Sequence, residues 1–454
     1  MLREELKQIA VPETADLSEA MRSLKRSGRG LVVVLGPGEK VIGVLSDGDI
    51  RKALLESGDM HISVSRCLNL NFVYVREGAK RELILKLLDT RIRAIPVLDE
   101  GGRLVELVGS GYLGPNRTAC SRARAPARVS LAGGGTDYTH YFMDYGGAGL
   151  SCTISKYSHA LLRKRSDRRI TIHSHDYRQG IEVESLEALK YDGTLDLVKA
   201  GIRLMKPDYG FDLEIGCDFP PGSGLGGSAA LLASVIGCLN QFKEHRLDRY
   251  SIAEHAFEAE RIELEIAGGW QDQYSTVFGG FNYLQFNRQH NVVTPLRLEP
   301  EILHELEERF ILCYTGTNHL GAHIQERNHR CEEEGPAREG VHNARLKALV
   351  DEMKGSLLRG EFDDFGVLLD ETWQIKKEMD SRVTNPKLEL IYETAMKAGA
   401  RGGRLLGTGG GGYFLFYVPL FKRYRVIEAL EGLAEKPRVE SVTFDENGLS
   451  SWTL

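Results

Sequence analysis

Residues 218–239, DFPPGSGLGGSAALLASVIGCL, crowd glycines 222, 224, 226 and 227 between one apolar run and another. Glycine takes up left-handed backbone conformations and lets a backbone approach another group closely, so this stretch predicts a strand, a tight loop and then a helix. A loop that opens a helix gathers N–H donors at the positive end of the helix dipole, where phosphate binds. Gly222, Gly224 and Gly227 have the G-x-G-x-x-G spacing of dinucleotide-binding folds. Two features oppose that reading. Pro220 and Pro221 stand directly before the glycines, and the segment about 20 residues on, EHRLDRY, lacks a strand ending in an acid. Nor does the loop open a domain. The residues themselves leave three possibilities: the pyrophosphate of a dinucleotide, the triphosphate of ATP, or a tight turn without ligand.

With 454 residues the chain is long enough for two or three folded units, each with its own core. Charged residues make up 27% and hydrophobic ones 42%, and no apolar run approaches the roughly 20 residues of a membrane span. The start, MLREELKQIA, lacks the apolar segment of a secretory signal, which makes a cytoplasmic protein the expectation. Cysteines 67, 120, 152, 217, 238, 313 and 331 are scattered and never form a CxxC pair, against a disulfide framework or a zinc knuckle. A net charge of -6 gives no general attraction to nucleic acid.

Up to about residue 116 the chain repeats itself. LVVVL (31–35) followed by EKVIGVLSDGDIRKALLESG (39–58) is echoed by AIPVL (94–98) and GRLVELVGSGYLG (102–114). Each copy reads as strand, glycine turn and strand, with a helix expected after Asp49 in the first. This part resembles a pair of CBS motifs, whose pattern Gly43, Ser46 and Asp49 fit. The resemblance implies an adenine nucleotide near Ser46 and Asp49, or a module that makes the protein a homodimer. In the second copy Glu106, Gly109 and Tyr112 depart from the pattern. Loop residues Gly114, Pro115 and Asn116 then suggest a boundary, giving domains 1–117 and 118–454.

Three further stretches of the larger part carry chemistry. RAPARVSLAGGGTDY (124–138) ends a strand in three glycines, Thr136 and Asp137. ERIELEIAGGWQDQYSTVFGG (260–280) sets Asp272 between two glutamines after a Gly pair. ARGGRLLGTGGGGYFLFYV (400–418) puts Gly407 and four consecutive glycines between apolar strands, more than a hairpin needs. In this order the four stretches resemble the GHMP small-molecule kinases. The strings LAGGGTD, AGG-x-QDQ, GGFN, W-x-x-KK and LLG-x-GGGG look like the D-glycero-D-manno-heptose 7-phosphate 1-kinases among them. That favours ATP over a dinucleotide.

The resemblance implies an α/β and α+β chain, with a ribosomal-S5-like lobe and a ferredoxin-like lobe following the CBS pair. ATP is expected on Pro221, Gly222, Ser223, Gly224, Leu225, Gly226, Gly227 and Ser228, without a Walker lysine. Mg2+ is expected between the phosphates, Ser228 and Glu260, and Asp272 is the expected base, with Arg128 beside it. A sugar phosphate is expected on Gly134, Gly135, Thr136, Asp137, Gln271, Gly409, Gly410 and Gly411. His319, Lys376 and Lys377 are candidates for its distal phosphate. Departures from relatives fall at Gly134 and Gly135, which replace the Glu-His of galactokinase, and at Trp270 and His319.

Overall fold

The glycine loop joins the strand Phe211–Cys217 to the helix Gly227–Asn240 in the computed structural model, which describes residues 6, 8–27, 30–88, 92–109, 119–316 and 336–454. The helix is built from small and apolar residues on every side, and from Ala229 onward nearly all of it is buried. Gly222, Gly224 and Gly226 have φ of +71°, +81° and +72°. The left-handed positions are therefore 222, 224 and 226, whereas Gly227 of the G-x-G-x-x-G spacing is the first helical residue.

The chain divides into two compact units, Met1–Arg117 and Thr118–Leu454. In the larger unit an eight-stranded sheet is organised on the 18-residue strand Gly147–Lys164. Its first residues pair with Asn282–Phe286 and its last with Phe211–Cys217, while Cys120–Ala132 runs antiparallel along most of its length. The two long strands are linked through the Gly-rich stretch, where φ at Gly133 is +83° and a Cβ would lie 2.0 Å from the Ala148 carbonyl oxygen. Beyond it, Phe310–Tyr314, Gly402–Leu405, Tyr413–Tyr417 and Arg438–Ser441 form a four-stranded antiparallel sheet with helices Phe362–Met379, Pro386–Ala398 and Arg423–Glu431. Leu312, Leu415 and Tyr417 of this sheet share one apolar core with Leu150 and Leu162 of the large one. The two lobes of the unit are thus packed together.

The smaller unit shows the repeat directly. Ala10–Pro12, Leu31–Leu35 and Val41–Ser46 form one three-stranded sheet, and Val75–Arg76, Ala94–Leu98 and Leu104–Gly109 form another. Each has a parallel pair followed by an antiparallel pair, with a register shift at Val34/Leu35 and at the matching Val97/Leu98. The helix expected after Asp49 begins earlier, at Asp47, because Ser46 caps it. The Ser46 hydroxyl accepts from the Asp49 amide at 3.2 Å and donates to Asp49 Oδ2 at 2.6 Å, and Oδ2 also accepts from the Ser46 amide at 2.8 Å. Both candidate nucleotide groups are thus engaged with each other in a capping box. Among the described residues no helix is long and apolar enough to cross a membrane.

Ser46→Ala should lower the stability of the smaller unit by about 1 kcal/mol through loss of the cap. Scanning calorimetry of the whole chain would show its transition move down and that of the larger unit stay; an unmoved transition would mean the cap contributes nothing.

Candidate active site

The strand Cys120–Ala132 pairs with Ser450–Thr453 only as far as Arg124, so its later residues have an edge open to the glycine loop. There the Arg128 amide donates to Leu225 O at 3.0 Å and its Nη1 to Gly224 O at 2.5 Å. Nε and Nη2 each donate to one carboxylate oxygen of Asp272 at 2.7 Å. This two-pronged pair has the geometry that favours arginine over lysine. Gly226 makes room for it, since a Cβ there would stand 2.8 Å from Arg128 Cγ.

Asp272 lies in the first turn of the helix Gln271–Phe278, and that turn is fixed by Asp137. One Asp137 oxygen accepts from the Gln271 amide and the other from the Gly135 amide, both at 3.0 Å. Its backbone carbonyl accepts from the Trp270 amide at 3.2 Å. Gly269 has to be glycine, because a Cβ would fall 1.9 Å from Asp137 Oδ2. Asp137 thus braces the helix start that carries Asp272.

Three consecutive side chains, Gln271, Asp272 and Gln273, go to three places. Gln271 turns into the core, where its Oε1 accepts from Ser130 Oγ at 3.1 Å. Asp272 meets Arg128, and Gln273 Nε2 donates to Glu260 Oε2 at 2.8 Å. Glu260 sits in a π-helical turn, Glu258–Glu263, that prolongs the helix Arg249–Phe257. Such turns are frequent at functional sites. It is the buried acid of the three in that turn: Glu258 is exposed, and exposed Glu263 accepts from Tyr191. Ser228, at the start of the helix Gly227–Asn240, contributes to lowering the Glu260 pKa.

Electrostatics separates these acids. Burial pushes the Asp272 carboxyl up, but the charge and hydrogen bonds of Arg128, with help from Arg261, outweigh it and hold the group below the usual aspartate range. Asp137 goes the other way: burial raises it, the Asp272 charge adds to this, and the Gln271 and Gly135 amides only partly oppose it. Glu260 is also raised by burial, against the pull of Arg261, Ser228 and Gln273. A carboxylate kept ionised beside a loop that opens a helix is placed where it could accept a proton.

The second glycine run closes on the first. A Cβ at Gly407 would lie 2.5 Å from Gly224 Cα, and one at Gly412 would lie 2.3 Å from Ser223 O. Tyr413 N donates to Ser223 O at 3.0 Å. The carbonyls of Ser223, Gly224 and Leu225 are thus taken up by Tyr413 and Arg128, which leaves the loop's amides as the groups to offer an anion. Gly409 and Gly410 pack on Val383, whose carbonyl accepts from Gly410 N at 2.7 Å.

Other expected contacts fall elsewhere. Thr136 Oγ1 donates to the Gly133 and Ala148 carbonyls at 2.8 and 2.7 Å, so that hydroxyl, like the Gln271 carboxamide, holds the scaffold. Lys376 Nζ donates to Gly407 O, and Lys377 pairs with Glu389 at 3.4 Å over the rings of Trp373 and Tyr392. His319 lies outside the described residues. Trp270 stacks on Phe257 with ring centroids 3.5 Å apart and donates to Thr139 Oγ1.

Two arginines add to the site without having been expected. Arg261 donates to the Ile266 and Ala267 carbonyls at 3.0 Å and shapes the turn before Trp270. Buried Arg404 donates to Leu131 O at 2.7 Å, its Nε has no partner, and no carboxylate among the described residues pairs with it. Burial and the nearby Arg128 charge push its pKa down to about 10. The sequence carries no signal that sets Arg404 apart, since Arg401 stands three residues before it in the same glycine-rich stretch.

The chain is 37% identical over 339 residues to D-glycero-alpha-D-manno-heptose 7-phosphate kinase of Campylobacter jejuni, covering 73% of this chain and 99% of that protein. Residues 196–280 match the GHMP kinases N terminal domain and residues 342–435 the GHMP kinases C terminal domain. The chain belongs to the GHMP kinases. Residues 5–56 match the CBS domain, so this GHMP kinase carries a CBS module ahead of the kinase unit. A crystal structure of a sugar kinase from C. jejuni superposes with a TM-score of 0.62 at 35% identity, over 75% of this chain and all of that one. A D-glycero-D-manno-heptose 1-phosphate kinase from Bacteroides thetaiotaomicron gives 0.61 at 28% identity, over 74% and 99%. L-fucokinase/L-fucose-1-P guanylyltransferase of Bacteroides fragilis is 28% identical, but this kinase spans only 34% of its length. As a GHMP kinase the chain is a phosphotransferase with an alcohol acceptor, and ATP is its co-substrate.

Arg128→Met leaves burial acting on Asp272 without the opposing charge, so its pKa rises. Activity needing ionised Asp272 is then lost at a higher pH: the acid limb of the kcat/KM profile should move up, with kcat reduced by about 10^2-fold. An acid limb that stays in place would show that another group keeps Asp272 ionised.

Proposed function

We propose that the larger unit transfers the γ-phosphoryl group of ATP to the anomeric hydroxyl of a sugar phosphate, with D-glycero-D-manno-heptose 7-phosphate as the acceptor. The observation that carries the reading is the ionised Asp272 clamped by Arg128 at the edge of the glycine loop. The acceptor follows the relative that this chain matches over nearly its full length.

In this reading the loop amides from Gly222 to Ser228 and the dipole of the helix Gly227–Asn240 hold the triphosphate. Asp272 accepts the proton of the anomeric hydroxyl as its oxygen bonds to the γ-phosphorus, and the bond from phosphorus to the β–γ bridging oxygen breaks to release ADP. A positioned base contributes about 10^2 to 10^4 in rate, and phosphoryl transfer otherwise depends on positioning and charge neutralisation. Arg128 keeps the base ionised and places positive charge beside the transferred group. Arg404, a buried cation without an acid, adds to the positive potential there.

Ser228 at the helix start and the buried Glu260 offer two hard oxygens, a donor set that fits Mg2+, which keeps waters and takes few protein ligands. When bound, the metal would neutralise phosphate charge. Asp137 and the Gly134–Gly135 backbone hold the acceptor. A homodimeric, cytoplasmic enzyme whose CBS module takes an adenine nucleotide completes the reading; a nucleotide at Ser46 and Asp49 has to compete with their mutual hydrogen bonds.

The deciding experiment is ATP consumption with Mg2+ across heptoses, hexoses, fucose and their phosphates, with phosphorus NMR on the product. An anomeric phosphate formed from heptose 7-phosphate, at a rate reduced about 10^2- to 10^4-fold in Asp272→Asn, is expected. Phosphate on a primary hydroxyl, or a heptose turned over no better than other sugars, would overturn the assignment of acceptor. Absence of turnover would favour a sugar sensor.

A further inference from the structure

The helix Pro336–Arg359 lays one face against the turn that carries Asp137, through residues spaced i, i+4 and i+7. Val350 Cγ2 lies 2.8 Å from where a Gly133 Cβ would stand. Lys347 Nζ donates to the Tyr145 and Gly146 carbonyls at 2.9 and 3.2 Å. Asn343, the third residue of this face, has its Oδ1 3.2 Å from the Cβ position of Gly135. Asn343 is 1% exposed, and among the described residues neither its Nδ2 nor its Oδ1 has a hydrogen-bond partner. Buried polar groups are nearly always paired, and leaving one unpaired is destabilising. A carboxamide with both ends open, against Gly135 of the turn that carries Asp137, is poised for a ligand that brings both a donor and an acceptor.

The chemistry of that ligand follows from the group. A neutral amide offers little to a phosphate but matches hydroxyls, each of which donates and accepts. Gly135 has φ of +105°, and any side chain there would press on the amide. The Gly135 amide is itself tied to Asp137, which in turn sets the start of the Asp272 helix. The open carboxamide and the candidate base therefore belong to one connected turn.

We propose that Asn343 is a specificity-determining contact to the sugar acceptor, its Nδ2 donating to one ring hydroxyl and its Oδ1 accepting from another. This rests on the reading of the unit as a sugar kinase. Neither the glycine-rich stretches nor the string W-x-x-KK includes this residue.

The test is Asn343→Leu, similar in size and unable to hydrogen-bond. If the amide serves the sugar, kcat/KM for the acceptor falls about 10- to 100-fold, as expected when one or two hydrogen bonds to substrate are lost. The KM for ATP stays, and the melting temperature of the ligand-free protein stays or rises because an unpaired buried group has gone. Deoxy sugars supply an independent readout. Removing the contacted hydroxyl should cost the wild type that same factor and the variant nothing more. Unchanged acceptor kinetics, or a parallel loss in ATP KM and melting temperature, would overturn the contact and leave Asn343 a packing residue. Calorimetric titration of both proteins with the same sugars, without ATP, separates this from the reaction itself. Sugar that binds the wild type and not the variant supports the contact even where no phosphate is transferred, whereas equal binding, or none to either, refutes it.

Discussion

The Arg128 side chain is where the kinase unit is tied together. Its guanidinium bonds both oxygens of Asp272 and the carbonyl of Gly224, and its own amide holds Leu225. One residue therefore fixes the charge state of the candidate base, the position of that base and the curvature of the glycine loop. Removing one partner of a buried pair leaves the other uncompensated, which is strongly unfavourable. For this reason the pair is better understood as a positioning device than as a source of stability. The acids around it diverge for the same electrostatic reason: Asp272, with a guanidinium against it, is pulled down, while Asp137 and Glu260, held mainly by neutral donors or by a more distant charge, are pushed up.

Glycine does two jobs at the loops. At 222, 224 and 226 it supplies left-handed backbone, and at 224, 407 and 412 it allows two main chains to touch. The second job is invisible to a motif that describes one loop at a time, which explains why the G-x-G-x-x-G spacing selects Gly227, a residue the backbone does not require to be left-handed. The run at 409–412 was legible as too much glycine for a hairpin, and its reason is the contact with Ser223 and Gly224, together with the seat on Val383.

Local order was readable because it is local. The strand, loop and helix around residue 222 and the repeat in the first unit follow from nearby residues, whereas Glu260 was singled out from its neighbours only through likeness to a family. The pairing of Arg128 with Asp272 was likewise legible only through that likeness, since nothing in the spacing of residues 144 positions apart reveals a bond. Side-chain direction was not readable. Thr136 and Gln271 sit inside the motifs yet turn inward, because the backbone carbonyls and Ser130 beside them need partners. Arg404 and Asn343 were hidden for the opposite reason: a basic residue before a glycine run and an asparagine on a helix look ordinary until burial is known.

The contact between the two glycine loops has a temporal consequence. The carbonyl of Ser223 is satisfied by Tyr413, and Gly224 rests against Leu406 and Gly407, so a ribosome must deliver almost the whole polypeptide before the first glycine loop has its walls. Pairings between such remote positions close slowly, since a long loop of chain has to be ordered before they form. The first lobe waits even longer, since the strand Ser450–Thr453 of its own sheet is the last to leave the ribosome. Nucleotide affinity would then mark completed synthesis, and a chain stopped before residue 400 would fold in part and remain catalytically silent.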